Sequence, residues 1–116
     1  MIESIEKYGN GFYRMTNTDK WQVAYITYSD AYDELKELKR HMTTDEVMIL
    51  VHGSAALYTY ENGRIDCIEM KKDVTYNIKQ ATWHHLKVSK DALLIVVEDS
   101  NITKESTERM TVNAYC

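Results

Sequence analysis

The residues best equipped for chemistry in this chain are four histidines, His41, His52, His84 and His85, read together with Glu46. His41 and Glu46 flank a short turn, Met42 to Asp45, so the two side chains can point the same way from consecutive strands. His84 opens a strand much later in the chain, and in a closed sheet such distant strand ends converge. Two neutral imidazoles and one carboxylate make a facial triad that suits Fe(II) and, less exclusively, Mn, Ni or Zn, with coordination positions left open for chemistry. The plain alternative is that a chain with four histidines offers such a combination by chance. Side chains alternate along a strand, so His85 faces away from His84 and reads as a surface or subunit-contact residue. His52 has the strand parity of Glu46 but adjoins the Gly53 turn, where a histidine lines a rim. Tyr58, Tyr60 and Tyr76 are candidates to line a pocket, although half-buried tyrosines are common on sheets that bind nothing.

The elements that must position these groups read as β-strands. From Glu46 to Asp99 the sequence repeats one rhythm, a run of β-branched, aromatic or apolar residues followed by a turn signal. The runs are Val47 to His52, Ala55 to Tyr60, Ile65 to Met70, Val74 to Ile78, His84 to Val88 and Leu93 to Glu98. Asn62-Gly63 is the most specific separator, because a type I′ hairpin needs positive φ at both central residues; it predicts that the strands 55 to 60 and 65 to 70 pair. Gly11 to Met15 and Trp21 to Tyr28 add two strands, both expected at a sheet edge. Tyr32, Leu35, Leu38 and Met42 recur at helical spacing. One or two helical turns are therefore expected near Asp30 to Leu35, then an extended approach into His41. After Ser100 the tail is a last edge strand, Met110 to Val112, or an arm that packs on a partner.

Composition removes other classes. With 116 residues the chain is long enough for one domain that buries about two thirds of its surface. A net charge of -4 argues against a nucleic-acid or anionic-membrane surface. Cys67 and Cys116 have no partner spacing, so neither a zinc knuckle nor a redox pair is written here. The longest apolar run, Ala92 to Val97, is too short to span a membrane, and the start lacks an apolar signal core, which gives a cytoplasmic expectation.

At this point the chain resembles a known family. Thr44 to Gly53 is similar to the first motif of the cupins, in which one or two histidines precede a glutamate that six residues separate from a glycine. His41 fits the second histidine, Glu46 the glutamate and Gly53 the glycine, while Lys39 stands at the first histidine. The second motif, G-x5-P-x-G-x2-H, aligns with Asp73-x5-Lys79-x-Ala81-x2-His84, where only the histidine is literal. The resemblance covers about Leu38 to Asp99. It implies an all-β double-stranded β-helix, a jelly-roll barrel of the RmlC-like kind with at most one short helix, forming a single domain over 1-116 with edge strands in 1-30 and a tail at 100-116. It carries over His41, Glu46 and His84 as ligands of a divalent metal, with Lys39 in the fourth place. A protonated lysine cannot ligate, and a cation beside a metal opposes binding.

The implied function is binding of a small polar molecule at that metal in the barrel mouth, as a metal-dependent isomerase, lyase or dioxygenase. Lys39 would pair with a substrate anion or act as acid/base, and Tyr58, Tyr60 or Tyr76 would supply orienting hydroxyls. The alternative is a binding or sensing module without turnover, since fold alone does not choose the reaction. A homodimer is expected through the aromatic strand carrying Trp21, Tyr25 and Tyr28, with neither nucleic acid nor membrane as partner.

Overall fold

The computed structural model describes residues 1–112; Cys116 and the end of the expected tail lie outside the described residues. The strands run in chain order as β1 (Phe12–Asn17), β2 (Trp21–Ile26), β3 (Glu37–His41), β4 (Glu46–His52), β5 (Ala55–Glu61), β6 (Arg64–Glu69), β7 (Thr75–Ile78), β8 (Trp83–Val88), β9 (Leu93–Asp99) and β10 (Thr107–Thr111). They form two five-stranded antiparallel sheets, ordered β1-β2-β9-β4-β7 and β10-β3-β8-β5-β6. The all-β expectation holds. Asp30–Tyr32 is a single 3-10 turn, and the helical spacing of Leu35, Leu38 and Met42 does not propagate. The sheet supplies what that short segment could not, because an isolated helix of so few residues is marginal whereas β3 gains a ladder partner on each side.

Alternation decides which side chains meet between the sheets. On β2, β4 and β9 every second residue is buried, giving Ala24 and Ile26, Met48 and Leu50, and Leu94 and Val96 on one inner face. Ala55, Leu57, Leu86 and Val88 answer from the other sheet, and the two rows form one core. Burying a Leu or Val side chain in such a core stabilises the fold by about 1.5–3 kcal/mol. β2 lies inside its sheet, between β1 and β9, which corrects the edge position expected of it: β1 is the edge.

The turns carry the two motifs. Asn62 and Gly63 both have positive φ, 53° and 78°, and join β5 to β6 as the expected two-residue hairpin. Gly53 has φ 76°, and a Cβ there would lie 2.7 Å from the Ala92 Cα, so only glycine lets β4 turn this tightly. Asp73 and Ala81 also hold positive φ, 63° and 64°. These are the two positions aligned with the second motif's glycines, so the left-handed backbone is kept where the glycine is not.

Candidate metal centre

His41 ends β3 and Glu46 begins β4, so the turn between them carries the chain from one sheet to the other. The turn is held by its own polar groups: the Gln80 N–H donates to Asp45 Oδ1 at 2.8 Å, and the Asp99 N–H to Thr44 Oγ1 at 3.3 Å. His84, on β8, stands opposite Lys39 of β3 in the ladder. The Ala81 N–H donates to the His41 carbonyl at 2.8 Å and so ties the turn before His84 to the end of β3. His41, Glu46 and His84 thereby meet between the sheets, each offering a ligand atom within 4.8 Å of the others. His84 Nε2 is 2.9 Å and His41 Nε2 3.6 Å from Glu46 Oε1.

Donor chemistry shows that these residues fit a metal ion. His84 Nδ1 lies 2.9 Å from the Thr82 carbonyl oxygen, which can only accept. Nδ1 therefore carries the hydrogen, and Nε2 of the neutral ring presents its lone pair to the site. That lone pair faces a carboxylate, which has no hydrogen to give. Glu46 Oε1 is buried without a hydrogen-bond partner despite the closeness of His84. A second proton on the ring or a cation among the three groups satisfies them equally, so proton and metal compete for one place. His41 is held by a hydroxyl instead, its Nδ1 3.0 Å from Thr107 Oγ1 of β10, which can donate or accept.

A fourth buried group borders the cluster, with no signal in the motifs that gave the other three. Glu98 of β9 stands opposite Glu46 in the ladder, with Oε2 3.9 Å from His41 Nε2. Gln22 of β2 donates to Glu98 Oε1 at 2.9 Å. The signal was present in the alternation: Leu94, Val96 and Glu98 share a face, so a charged residue occupies an inward position of an apolar strand. Without a metal, burial pushes the Glu98 carboxyl far above the carboxylate range, and the Glu46 charge adds to it. Burial also raises the Glu46 carboxyl, but when the histidines are protonated a hydrogen bond from His84 and their charges outweigh that and hold it below its ordinary value. Burial lowers His41, against the pull of Glu46.

Around this cluster opens a cavity of about 1320 Å³, lined by Lys39, Lys36, Arg14, Tyr32 and Arg109 among others. Lys39 is thus inside the cavity that holds the three candidate ligands. Tyr32, delivered by the 3-10 turn, packs on the core and lines this cavity, and its hydroxyl is pushed up to about 12 by burial and then by the charges of Glu46 and Glu98.

Of the other named residues only His85 borders this cavity; Tyr58, Tyr60, Tyr76 and His52 do not. Tyr58 pairs with His85 on the face of β5 opposite to Leu57, away from the cavity. Tyr60 pairs with Trp83 beside a second, smaller hollow. Tyr76 faces the core next to Met48, with its hydroxyl accepting from the Lys71 N–H at 2.8 Å, deeper in the barrel than Glu46. The expectation that any of the three lines this cavity gives way to Tyr32. His85 does face away from His84, against Tyr58, but it is buried at 8% exposure, which corrects the surface reading. A bulge in β4 between Leu50 and His52 breaks the parity that linked His52 to Glu46. His52 is exposed beside Asp91, 3.6 Å away.

Comparison with known proteins agrees with this architecture. No protein-family model and no curated protein matches the chain. Its structure is similar to that of oxalate decarboxylase from Bacillus subtilis, with a TM-score of 0.66 at 15% identity, over 90% of this chain and 29% of the decarboxylase. A cupin-2 domain containing protein from Shewanella frigidimarina aligns with a TM-score of 0.61 at 14% identity, over 79% of this chain and 84% of its own. The 3,4-ketoisomerase QdtA from Thermoanaerobacterium thermosaccharolyticum, solved with TDP-4-keto-6-deoxyglucose, gives 0.64 at 20% identity over 74% of this chain and 63% of the isomerase. The chain spans less than a third of the decarboxylase's length. Two antiparallel sheets with acceptor groups gathered between them at one end define a cupin barrel, and the chain has the cupin fold.

Proposed function

We propose that this chain is a single-domain, cytoplasmic cupin that binds a small polar molecule at a divalent-metal site held by His41, Glu46 and His84, and that it acts on that molecule as an isomerase, lyase or dioxygenase. One observation carries the reading: His84 Nε2, whose Nδ1 already bonds the Thr82 carbonyl, and Glu46 Oε1 face each other at 2.9 Å in a buried place that only a second ring proton or a cation satisfies. Fe, Mn, Ni or Zn bound there would polarise a carbonyl or carboxylate oxygen of the ligand. The protein's own groups do the rest. The Thr82 carbonyl and Thr107 hydroxyl fix the two imidazoles, Lys39 offers its ammonium to an anionic part of the ligand, and Tyr32 presents a hydroxyl. The neighbours support a small molecule as ligand: QdtA was solved with a nucleotide-linked keto sugar, and the decarboxylase is named for oxalate.

Lys39 in place of a ligand supports a second reading, a cupin that binds or senses without turnover. Elemental analysis of protein purified without added metal, followed by a small-molecule thermal-shift panel and product analysis, separates the two. Stoichiometric metal with turnover establishes the enzyme; metal-free protein stabilised by one ligand class establishes the sensor and removes the metal site.

A further inference from the structure

We propose that Glu98 is a fourth protein ligand of the ion, supplied by β9 in exchange for the one that Lys39 withholds on β3; the inference rests on the metal-site reading above. Glu46 and Glu98 stand directly opposite each other on neighbouring strands. Like charges in that relation repel, and burial strengthens the repulsion, so the pair takes either a shared proton or a cation. Gln22 occupies one oxygen of Glu98 and leaves Oε2 buried, unpartnered and 3.9 Å from His41 Nε2.

The one separation that reaches Glu98 is compatible with donors on one ion. Ligand atoms about 2.1 Å from a six-coordinate ion lie about 3.0 Å apart when adjacent and about 4.2 Å when opposite. His84 and His41 stand 2.9 and 3.6 Å from Glu46, and Glu98 Oε2 stands 3.9 Å from His41 Nε2. Glu98 lies outside the group mutually within 4.8 Å, so ligation needs its carboxylate to move inward toward Glu46 and His84. Charge leads to the same conclusion. One carboxylate leaves the positive charges of a divalent ion and Lys39 largely uncompensated in a buried place, and a second carboxylate offsets one of them. Two imidazoles with two carboxylates make a harder donor set than three histidines and one carboxylate, so the site should favour Mn²⁺ and Fe²⁺ more than a histidine-rich site would.

Calorimetric titration of the full chain with Mn²⁺, comparing native protein with Glu98→Gln, tests this. The amide keeps the shape and can still hydrogen-bond Glu46, so a residue that merely positions Glu46 would tolerate the change, whereas a ligating carboxylate would not. The expected result is at least a tenfold loss of Mn²⁺ affinity; equal affinity in both proteins overturns Glu98 as a ligand while leaving the three-residue site intact. A native chain that binds no Mn²⁺, Fe²⁺, Ni²⁺ or Zn²⁺ overturns the metal site itself and this inference with it. Should Glu98→Gln fail to fold, a crystal structure of native protein with Mn²⁺ decides. Glu98 Oε2 within about 2.5 Å of the ion supports ligation, and a greater distance rejects it.

Discussion

His84 and His85 are chain neighbours with opposite surroundings, one facing Glu46 between the sheets and the other packed against Tyr58 on the far side of β8. His84→Ala is therefore expected to weaken divalent-metal binding on the order of a hundredfold, and His85→Phe to leave it within about twofold, measured by titration. Equal loss in both would show that β8 is out of register by one residue. His85 also carries a pH signature. Burial first, then the charges of Lys39 and His84, lower its pKa from 6.5 to about 4. As pH falls from 6.5 toward 4 the unfolded chain takes a proton that the native chain refuses, so stability is full above 6.5 and declines through that window. The loss is up to about 3 kcal/mol, and metal-free His85→Phe should lack this part of the acid limb in denaturant melts. At Lys39 the expectation is a gain: Lys39→His removes a cation and adds a neutral donor on the cavity side of β3, tightening divalent-metal binding at least tenfold by calorimetry. Unchanged affinity would place Lys39 outside the ion's reach.

At the scale of elements, the site depends on β3, which carries both Lys39 and His41 and pairs with β8 at the single position Lys39–His84. It is pinned from outside by the Arg40 guanidinium, which stacks over Trp83 at 4.4 Å and ion-pairs with Glu108 of β10. The turn before β8 completes the seam, and its Ala81 sits at φ 64°, a conformation that costs an L-residue about 1 kcal/mol. Ala81→Gly is expected to raise the melting temperature by about 3 °C, since relief of the left-handed strain outweighs the added chain entropy of glycine. A lower melting temperature by calorimetry would mean that the Ala81 methyl contributes more in packing than its backbone loses.

For the whole molecule, the accessible surface is 7566 Å², above the roughly 6,600 Å² expected for a compact protein of this mass. Part of the excess is apolar: Met1, Ile2, Ile5 and Tyr8 are exposed ahead of β1, and Phe12 and Trp21 on β1 and β2. β1 is also an unpaired sheet edge in a chain with no proline to block it. We expect a homodimer through this edge and the Trp21 face, and Trp21→Glu should return it to monomer in sedimentation at micromolar concentration. Native protein that sediments only at 13.6 kDa would reject the dimer.

Strand positions, the Asn62-Gly63 hairpin and the trio His41, Glu46 and His84 were legible in the sequence because each rests on local rules: alternation, turn chemistry and the spacing of two motifs. No helix among the described residues is long and apolar enough to cross a membrane, as the short apolar runs indicated. What tertiary structure alone decided was which side chains share the cavity. Tyr32 reached it from the 3-10 turn ahead of β3, while Tyr58 and Tyr76, with the right chemistry, were directed elsewhere by strand parity and depth. His52 was turned out by one extra residue in β4, a bulge no local pattern announced. Glu98 could be placed beside Glu46 only once β9 was seated between β2 and β4, because the partner of a strand is set by long-range packing of two apolar faces and not by the strand's own residues.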